Sequence, residues 1–305
     1  MKQLVILSGK GGTGKTSVAA AFAHLAREGT PALPAVLADA DVDAANLELV
    51  LQPHRLQEHE FLGGVVAVID AGLCQGCGAC VDACRFGAVL PPASGGGMEY
   101  QVDPIACDGC AACVYECPHE AIRMETQLAG HWFRSESRHG PLFHAELRPA
   151  QDNSGKLVTL VKQQARLHAL DTGAAILIVD GPPGIGCPAI SAAAGADLAL
   201  IVAEPTAAGI HDMERALQTA AHFGLPSLVC INKSDIYPPG AESIEAHGRQ
   251  HGIAIAGRIP FDPIVTESMV NGEPVTAYRP GSPAGRAMAG LWERVAERLI
   301  HDGRP

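Results

Sequence analysis

The sequence predicts an α/β protein in which a doubly wound, mostly parallel sheet is interrupted by a smaller inserted α+β domain. Three observations predict it. Short continuous apolar runs alternate with helical stretches along most of the 305 residues. A glycine-rich loop, "SGKGGTGKT" (8–16), ties the first run to the first helix. Between Gly63 and Glu125 the alternation stops and the cysteine density jumps.

The predicted strands are "LVILS" (4–8), "AVLAD" (35–39), "AILIVD" (175–180), "LALIVA" (198–203), "SLVCIN" (227–232) and "AIAGRIP" (254–260). Leu-rich and β-branched runs of this length, without polar alternation, suit strands covered on both faces. Helical patterns lie between them, at 16–26, 213–224 and 283–300. Alternation of the two kinds predicts a parallel sheet with helices on both sides. Residues 1–62 and 126–305 then form one discontinuous domain, and 63–125 an insert whose middle, "PPASGGG" (91–97), is a loop by composition. Excising the insert leaves about 240 residues, a normal size for one α/β domain. The stretch 126–155, rich in His, Arg and Pro, has no clear period; an ordered connection and a second contact surface both fit it.

Composition narrows the function classes. Apolar residues make up 47% and charged residues 18%, a globular balance. No apolar run reaches the ~18 residues of a membrane span. "KQLVILS" runs straight into the glycine loop, as a buried first strand does, so a cytoplasmic protein is expected. The net charge of −11, without a Lys/Arg cluster, disfavours nucleic acid and a basic membrane anchor. Ten cysteines in such a chain point to metal or redox chemistry, because disulfide frameworks belong to short exported domains.

Gly9-x4-Gly14-Lys15-Thr16 is a phosphate-binding loop in its proper context, after a strand and before a helix. Backbone N–H groups from Gly11, Gly12, Thr13, Gly14, Lys15, Thr16 and Ser17 can face phosphates there. Lys15 neutralises the β- and γ-phosphates, and the Thr16 hydroxyl binds Mg²⁺. Asp180, ending "AILIVD", is the acidic partner near that metal.

Cys74, Cys77, Cys80 and Cys84 follow C-x2-C-x2-C-x3-C, and Cys107, Cys110, Cys113 and Cys117 repeat the run 33 positions later. This is the doubled run of bacterial ferredoxins, in which the fourth cysteine of each run serves the other cluster. Cys74, Cys77, Cys80 and Cys117 are thus assigned to one [4Fe–4S] cluster, and Cys84, Cys107, Cys110 and Cys113 to a second. Zinc prefers ligands in two pairs, which a three-plus-one run does not supply. Arg85 stands where a proline commonly follows the fourth cysteine.

"KGGTGKT" (10–16) resembles the deviant phosphate loop of the MinD/ParA/Mrp family of P-loop ATPases. "DADVDAANLELVL" (39–51), "DGPPGIG" (180–186), "INKSD" (231–235) and "GRIPFDPIVTESMVNGEPV" (257–275) extend the resemblance over most of the chain. It is similar above all to members of that superfamily with an inserted two-cluster ferredoxin. The resemblance implies ATP with Mg²⁺, and a nucleotide-dependent homodimer in which Lys10 reaches the partner's nucleotide. It implies that Asp41 orients the attacking water and that Asp39 lies close to the metal. It places Asn232, Pro260 and Asp262 around the base. "NKSD" also fits a guanine-reading pattern, so the base is less fixed than the phosphates.

Cys187 lies seven residues after Asp180, where the related nitrogenase iron protein carries a cluster ligand; a buried thiol in a glycine-rich turn is the alternative. Cys230 belongs to the core, and His131, His139 and His144 are expected as solvated or hydrogen-bonded loop residues. Three functions follow: an ATPase whose switching is coupled to electron transfer towards a redox or metalloprotein partner; a carrier that assembles and delivers a cluster; and a spatial organiser. No cysteine follows Cys230, which weighs against the C-terminal C-x2-C of the Mrp-like carriers.

Overall fold

Strand β1 (Lys2–Ser8) is buried along nearly its whole length, and in the computed structural model the sheet grows outward from it on both sides. The structure describes residues 1–92, 100–149, 151 and 155–301. The loop expected at 91–97 lies outside these residues from position 93 on, as do the first two positions of "NSGKLVTLV" (153–161).

From β1 the chain passes through the glycine loop into α1 (Lys15–Glu28), β2 (Ala35–Asp39), α2 (Leu47–Leu51) and the long β3 (His54–Ile69). Next come α3 (Ala79–Ala83), β4 (Val89–Leu90), β5 (Gln101–Val102), α4 (Ala112–Tyr115), β6 (Ile122–Ser137) and β7 (Gly140–Leu147). Strands and helices then alternate as α5 (Lys156–Asp171), β8 (Ile176–Pro183), α6 (Cys187–Ala193), β9 (Leu198–Ala203), α7 (Ala207–His222), β10 (Ser227–Asn232), α8 (Pro238–His251) and β11 (Ala254–Ile259). Three helices close the chain: α9 (Pro263–Val270), α10 (Val275–Tyr278) and α11 (Pro283–His301). Among the described residues no helix is long and apolar enough to cross a membrane.

Contacts divide the chain into two units. The first comprises Met1–His59, Trp132–Glu146 and Asn153–Pro305; the second comprises Glu60–His131 and Leu147–Asp152. Both β3 and β6 carry residues of each. The main sheet runs β11-β10-β9-β1-β8-β2-β7-β6-β3. The pairs from β11 through β7 are parallel, with Val5 opposite both Val179 and Ala199, and Asp39 opposite Asp180. Successive side chains of each strand face opposite ways. Leu198, Leu200 and Val202 pack with Phe22 of α1 and with Met288, Leu291 and Trp292 of α11. Ile201 and Ala203 pack instead with Met213 and Leu217 of α7 and Ile244 of α8. Phe22 and Trp292 meet at 5.0 Å between ring centroids.

The stretch 126–155, which showed no period, includes most of β6 and all of β7. Only Arg138 and His139 separate these strands, a connection short enough for an antiparallel pair alone. The pattern was obscured because polar residues occupy its inward positions. Ser135 and His144 are fully buried and bond to each other, Oγ to Nε2 at 2.9 Å; Ser137 is buried and donates to the Gly140 carbonyl at 2.8 Å. His144 is therefore hydrogen-bonded, as one of the two expectations had it, but in the core of a strand and not in a loop.

The second unit repeats itself internally. α3 and α4 begin 33 positions apart, and each follows a residue in the left-handed region, Gly78 and Ala111. Gly76 and Gly109 form a second such pair, Gly87 and Glu120 a third. Cys84 Sγ accepts the Ala88 N–H at 3.3 Å, and Cys117 Sγ accepts the Ala121 N–H at 3.4 Å, again 33 positions on. Its small core joins Ala67, Val89 and Ile122 to Cys80 and Cys113. The segment 63–125 lies within the 60–131 stretch of this unit.

Candidate functional site

Parallel strands point their C-terminal ends one way, and ligands settle there, where the order of connection reverses. Here β1 is flanked by β9 and β8, and the glycine loop leaves its end. Gly14 precedes α1 with φ 95°, a conformation suited to glycine, and a Cβ there would stand 2.4 Å from Asn232 Nδ2. The loop, Asp41 and the segment 260–269 line a cavity of about 620 Å³ in the first unit. Gly11, Gly12, Gly14, Lys15, Thr16 and Ser17 face it, while Thr13 is buried behind it. Lys15 is 5% exposed and donates to Ser8 Oγ at 3.0 Å, so its ammonium is held near the loop.

Asp39 and Asp180, opposed across β2 and β8, are buried side by side. Asp39 accepts the Asp41 and Leu47 N–H groups at 3.1 and 3.0 Å, anchoring the start of α2. Burial and the Asp180 charge still push its carboxyl well above the ordinary range. Burial lifts Asp180 to about 6 against the opposing pull of Thr16 and Lys15. Neither Asp180 oxygen has a well-aligned hydrogen-bond partner. Two crowded carboxylates, one with both oxygens open, fit a divalent cation, whose charge would reverse both shifts. Asp41 borders the cavity; burial raises its carboxyl, with Lys15 pulling the other way. Among the described residues no three His, Cys, Asp or Glu side chains gather as the ligand set of one ion. Mg²⁺ does not need such a cage, since it usually takes one or two protein ligands with phosphates and water.

The base side differs from expectation in detail. Asn232, Pro260 and Asp262 all border the cavity. Yet the Asn232 amide donates to the Thr13 carbonyl at 2.7 Å and accepts the Lys233 N–H at 2.9 Å, so it braces the loop. Asp262 caps α9 through Ile264 N–H and also accepts the Ala284 N–H. Asp235, the residue a guanine would need, accepts the Phe261 N–H at 2.6 Å and is not among the cavity's lining residues. The rest of this side mixes the apolar Phe261, Val265, Met269 and Met288 with Thr266 and Lys233.

Sequence reasoning missed two residues. Glu204, just past β9, holds Lys10 with Oε2 at 2.7 Å and Lys233 with Oε1 at 2.5 Å. Lys233 also donates to the Gly12 carbonyl at 3.2 Å. Burial would raise the Glu204 carboxyl, but the two lysines outweigh it and lower the pKa. The available signal was a lone acid ending an apolar strand beside the loop strand.

The cysteines of the second unit sit in two settings. Cys74, Cys77, Cys80 and Cys117 line one pocket, with Ile69, Tyr100 and Ile122. The Cys80 thiol is raised by burial and by its neighbours Cys74 and Cys77; Cys113 is raised by burial and by Cys107 and Cys110. At Cys84 burial is outweighed by N–H groups from Ala88, Phe86, Val89 and Gly87, which lower the pKa and favour a thiolate. Cys187 is exposed at the start of α6, not buried in its turn. Cys230 is fully buried, and its thiol is pushed up to about 12.

Residues 4–275 match the model of the CobQ/CobB/MinD/ParA nucleotide-binding domain. The chain belongs to this family. Like the family, it is a P-loop ATPase with a doubly wound sheet. An uncharacterized protein of Methanocaldococcus jannaschii is 32% identical over 295 residues, 97% of this chain and 96% of its own. An iron-sulfur cluster carrier protein of Aquifex aeolicus is 28% identical over 140 residues, 41% of this chain and 38% of its own. Among solved structures, the septum site-determining protein MinD of Pyrococcus horikoshii, complexed with Mg-ADP, superposes with a TM-score of 0.60 at 19% identity, covering 100% of this chain and 99% of that one. The Aquifex aeolicus MinD cell division protein gives 0.56 at 19%, covering 98% and 99%. These two likenesses speak for the fold.

Proposed function

We propose that this protein is an ATPase whose nucleotide-dependent self-association controls electron transfer through the cysteine-bearing unit to a redox or metalloprotein partner. Lys15, Thr16 and the loop N–H groups hold the triphosphate, and Thr16 with Asp180 carries Mg²⁺. Asp41 orients the attacking water. Lys10 acts on the nucleotide of a second copy, so turnover requires two subunits. The apolar side chains on this side and the engagement of Asp235 elsewhere favour adenine. One-electron chemistry would come from two [4Fe–4S] groups, held by Cys74, Cys77, Cys80 and Cys117 and by Cys84, Cys107, Cys110 and Cys113.

The observation that carries this reading is the pocket that three cysteines of the first run share with the fourth of the second. Cross-pairing of that kind is what two cubane sites require. The N–H groups donating to Cys84 and Cys117 Sγ suit thiolate ligands. Anaerobic purification with iron count, EPR and mass measurement, with and without a non-hydrolysable ATP analogue, tests it. About eight irons per chain and a doubled mass with the analogue are expected. Iron-free protein, or spectra and mass indifferent to nucleotide, refutes it.

A second reading, a cluster carrier, is favoured by the partial similarity to the Aquifex aeolicus carrier and by the exposure of Cys187. A Cys187→Ser protein with unchanged iron content and unchanged delivery to an apo-protein would eliminate it. A spatial organiser has only the fold in its favour; ATP-dependent binding to DNA or lipid would be its mark.

A further inference from the structure

Among the described residues, Glu204 is the carboxylate that touches both Lys10 and Lys233. Each of its oxygens serves one of them: Oε2 takes Lys10 and Oε1 takes Lys233. Its side chain is 12% exposed, while Lys10 and Lys233 are 35% and 33% exposed. Lys10 therefore lies against its own subunit, with its charge already matched. A lysine so held is unavailable to a neighbouring molecule until the contact opens. Lys233 has a second anchor, the Gly12 carbonyl, and a backbone in the left-handed region at φ 53°, so it is fixed from both ends.

We propose that Glu204 is a positioning residue that holds Lys10 at rest in its own subunit, and that Lys233 makes this hold reversible. The inference rests on the reading of Lys10 as acting on the partner's nucleotide. Removing one member of an ion pair normally strands the other charge in a poor solvent. Here Lys10 can leave while Lys233 stays on the carboxylate, so opening strands no anion. A triphosphate on the facing subunit offers Lys10 a stronger partner, and the hold yields only when two subunits meet.

The direct readout is the reactivity of the Lys10 amine toward an acylating reagent in nucleotide-free protein, followed by peptide mass spectrometry. Glu204→Gln should raise it roughly fivefold, the scale of one part-exposed ion pair. Lys233→Ala should lower it, because the carboxylate then has Lys10 alone. Should Glu204→Gln fail to fold, Glu204→Asp, which withdraws the carboxylate by one methylene, and added salt on the parent protein should each raise the reactivity. Unchanged reactivity overturns the proposal. With a non-hydrolysable ATP analogue, Glu204→Gln should also dimerise more tightly by a similar factor, and Lys10→Ala should abolish that gain. A Lys10→Ala protein that dimerises and turns over ATP like the parent refutes the role in trans, and the reactivity result still judges the resting contact separately.

Discussion

Asn232 sits on the cavity where the sequence expects it and braces the phosphate loop as well. Its amide bridges the Thr13 carbonyl and the Lys233 N–H, and its Nδ2 abuts the position where a Cβ on Gly14 would stand. Asn232→Ala removes a buried hydrogen bond, costing about 1–3 kcal/mol of stability. It should weaken ATP and GTP analogues alike, because it loosens the loop and not the base pocket. A loss confined to adenine nucleotides in calorimetric titration would restore the base-reading role. His144 supports a second prediction at this scale. Burial and then the nearby Arg55 push its pKa from 6.5 down to about 4, with Glu146 opposing. Glu48 Oε2 lies 3.2 Å from Nδ1, out of hydrogen-bond alignment. Between pH 6.5 and 4 the unfolded chain binds a proton that the folded one refuses. Stability therefore falls as the pH drops through that window, by at most about 3 kcal/mol for this residue, and levels off below it. His139 is pushed down to about 4 in the same direction. Urea midpoints at pH 7 and 4.5 should differ less in His144→Asn than in the parent; an equal difference means that His144 is charged in the native state.

At the scale of elements, what the sequence disclosed was the buried sheet. The strands near 4–8, 35–39, 175–180, 198–203, 227–232 and 254–260 appear with ends shifted by a few residues at most. Burial on both faces demands continuous apolar runs, and such runs are conspicuous. β3 failed to announce itself because its first seven residues are exposed and mixed in charge. β6 and β7 failed because a buried Ser-His pair stands where apolar residues are expected. These strands are joined to α2 through side chains. Arg55 of β3 bonds Glu146 of β7, reaches Glu48 of α2 at 3.4 Å, and lies 3.9 Å from the centre of the Phe133 ring of β6. The guanidinium does three things that an ammonium cannot do together. Arg55→Lys should cost about 1 kcal/mol, the scale of one exposed cation–π contact and one weak pair. Hydrogen exchange should quicken in α2 and β7 and stay unchanged in β9 and β10. Uniform protection across the sheet would show that the arginine is merely a surface charge.

At the scale of the whole molecule, the sequence disclosed the nucleotide-binding loop and a cysteine-rich insert but not where one unit ends. The cysteines marked the insert at 63–125, whereas contacts carry the second unit to Glu60 and His131 and add Leu147–Asp152. Cysteine spacing marks a segment sharply, but a unit boundary inside a continuous strand leaves no turn residue to mark it. The two units have unequal means of staying folded. The first buries whole strands and the faces of α1 and α11. The second has a core of a few apolar residues and its cysteines. At roughly 70–80 residues or fewer, one core seldom supplies more than about 3–5 kcal/mol, and metal ligation commonly makes up the difference. On the proposed ligand assignment, protein stripped of iron should therefore unfold its second unit at a lower temperature than its first. Calorimetry of chelator-treated protein should show two transitions, and loaded protein should lose the lower one. A non-hydrolysable ATP analogue at about 100 times its Kd adds about 2.7 kcal/mol to the state that binds it. That increment should raise the upper transition by several degrees and leave the lower one in place. A single transition in iron-free protein that carries the full unfolding enthalpy of the loaded protein would mean that the cysteine unit stands without metal, and the ligand assignment would lose its energetic basis.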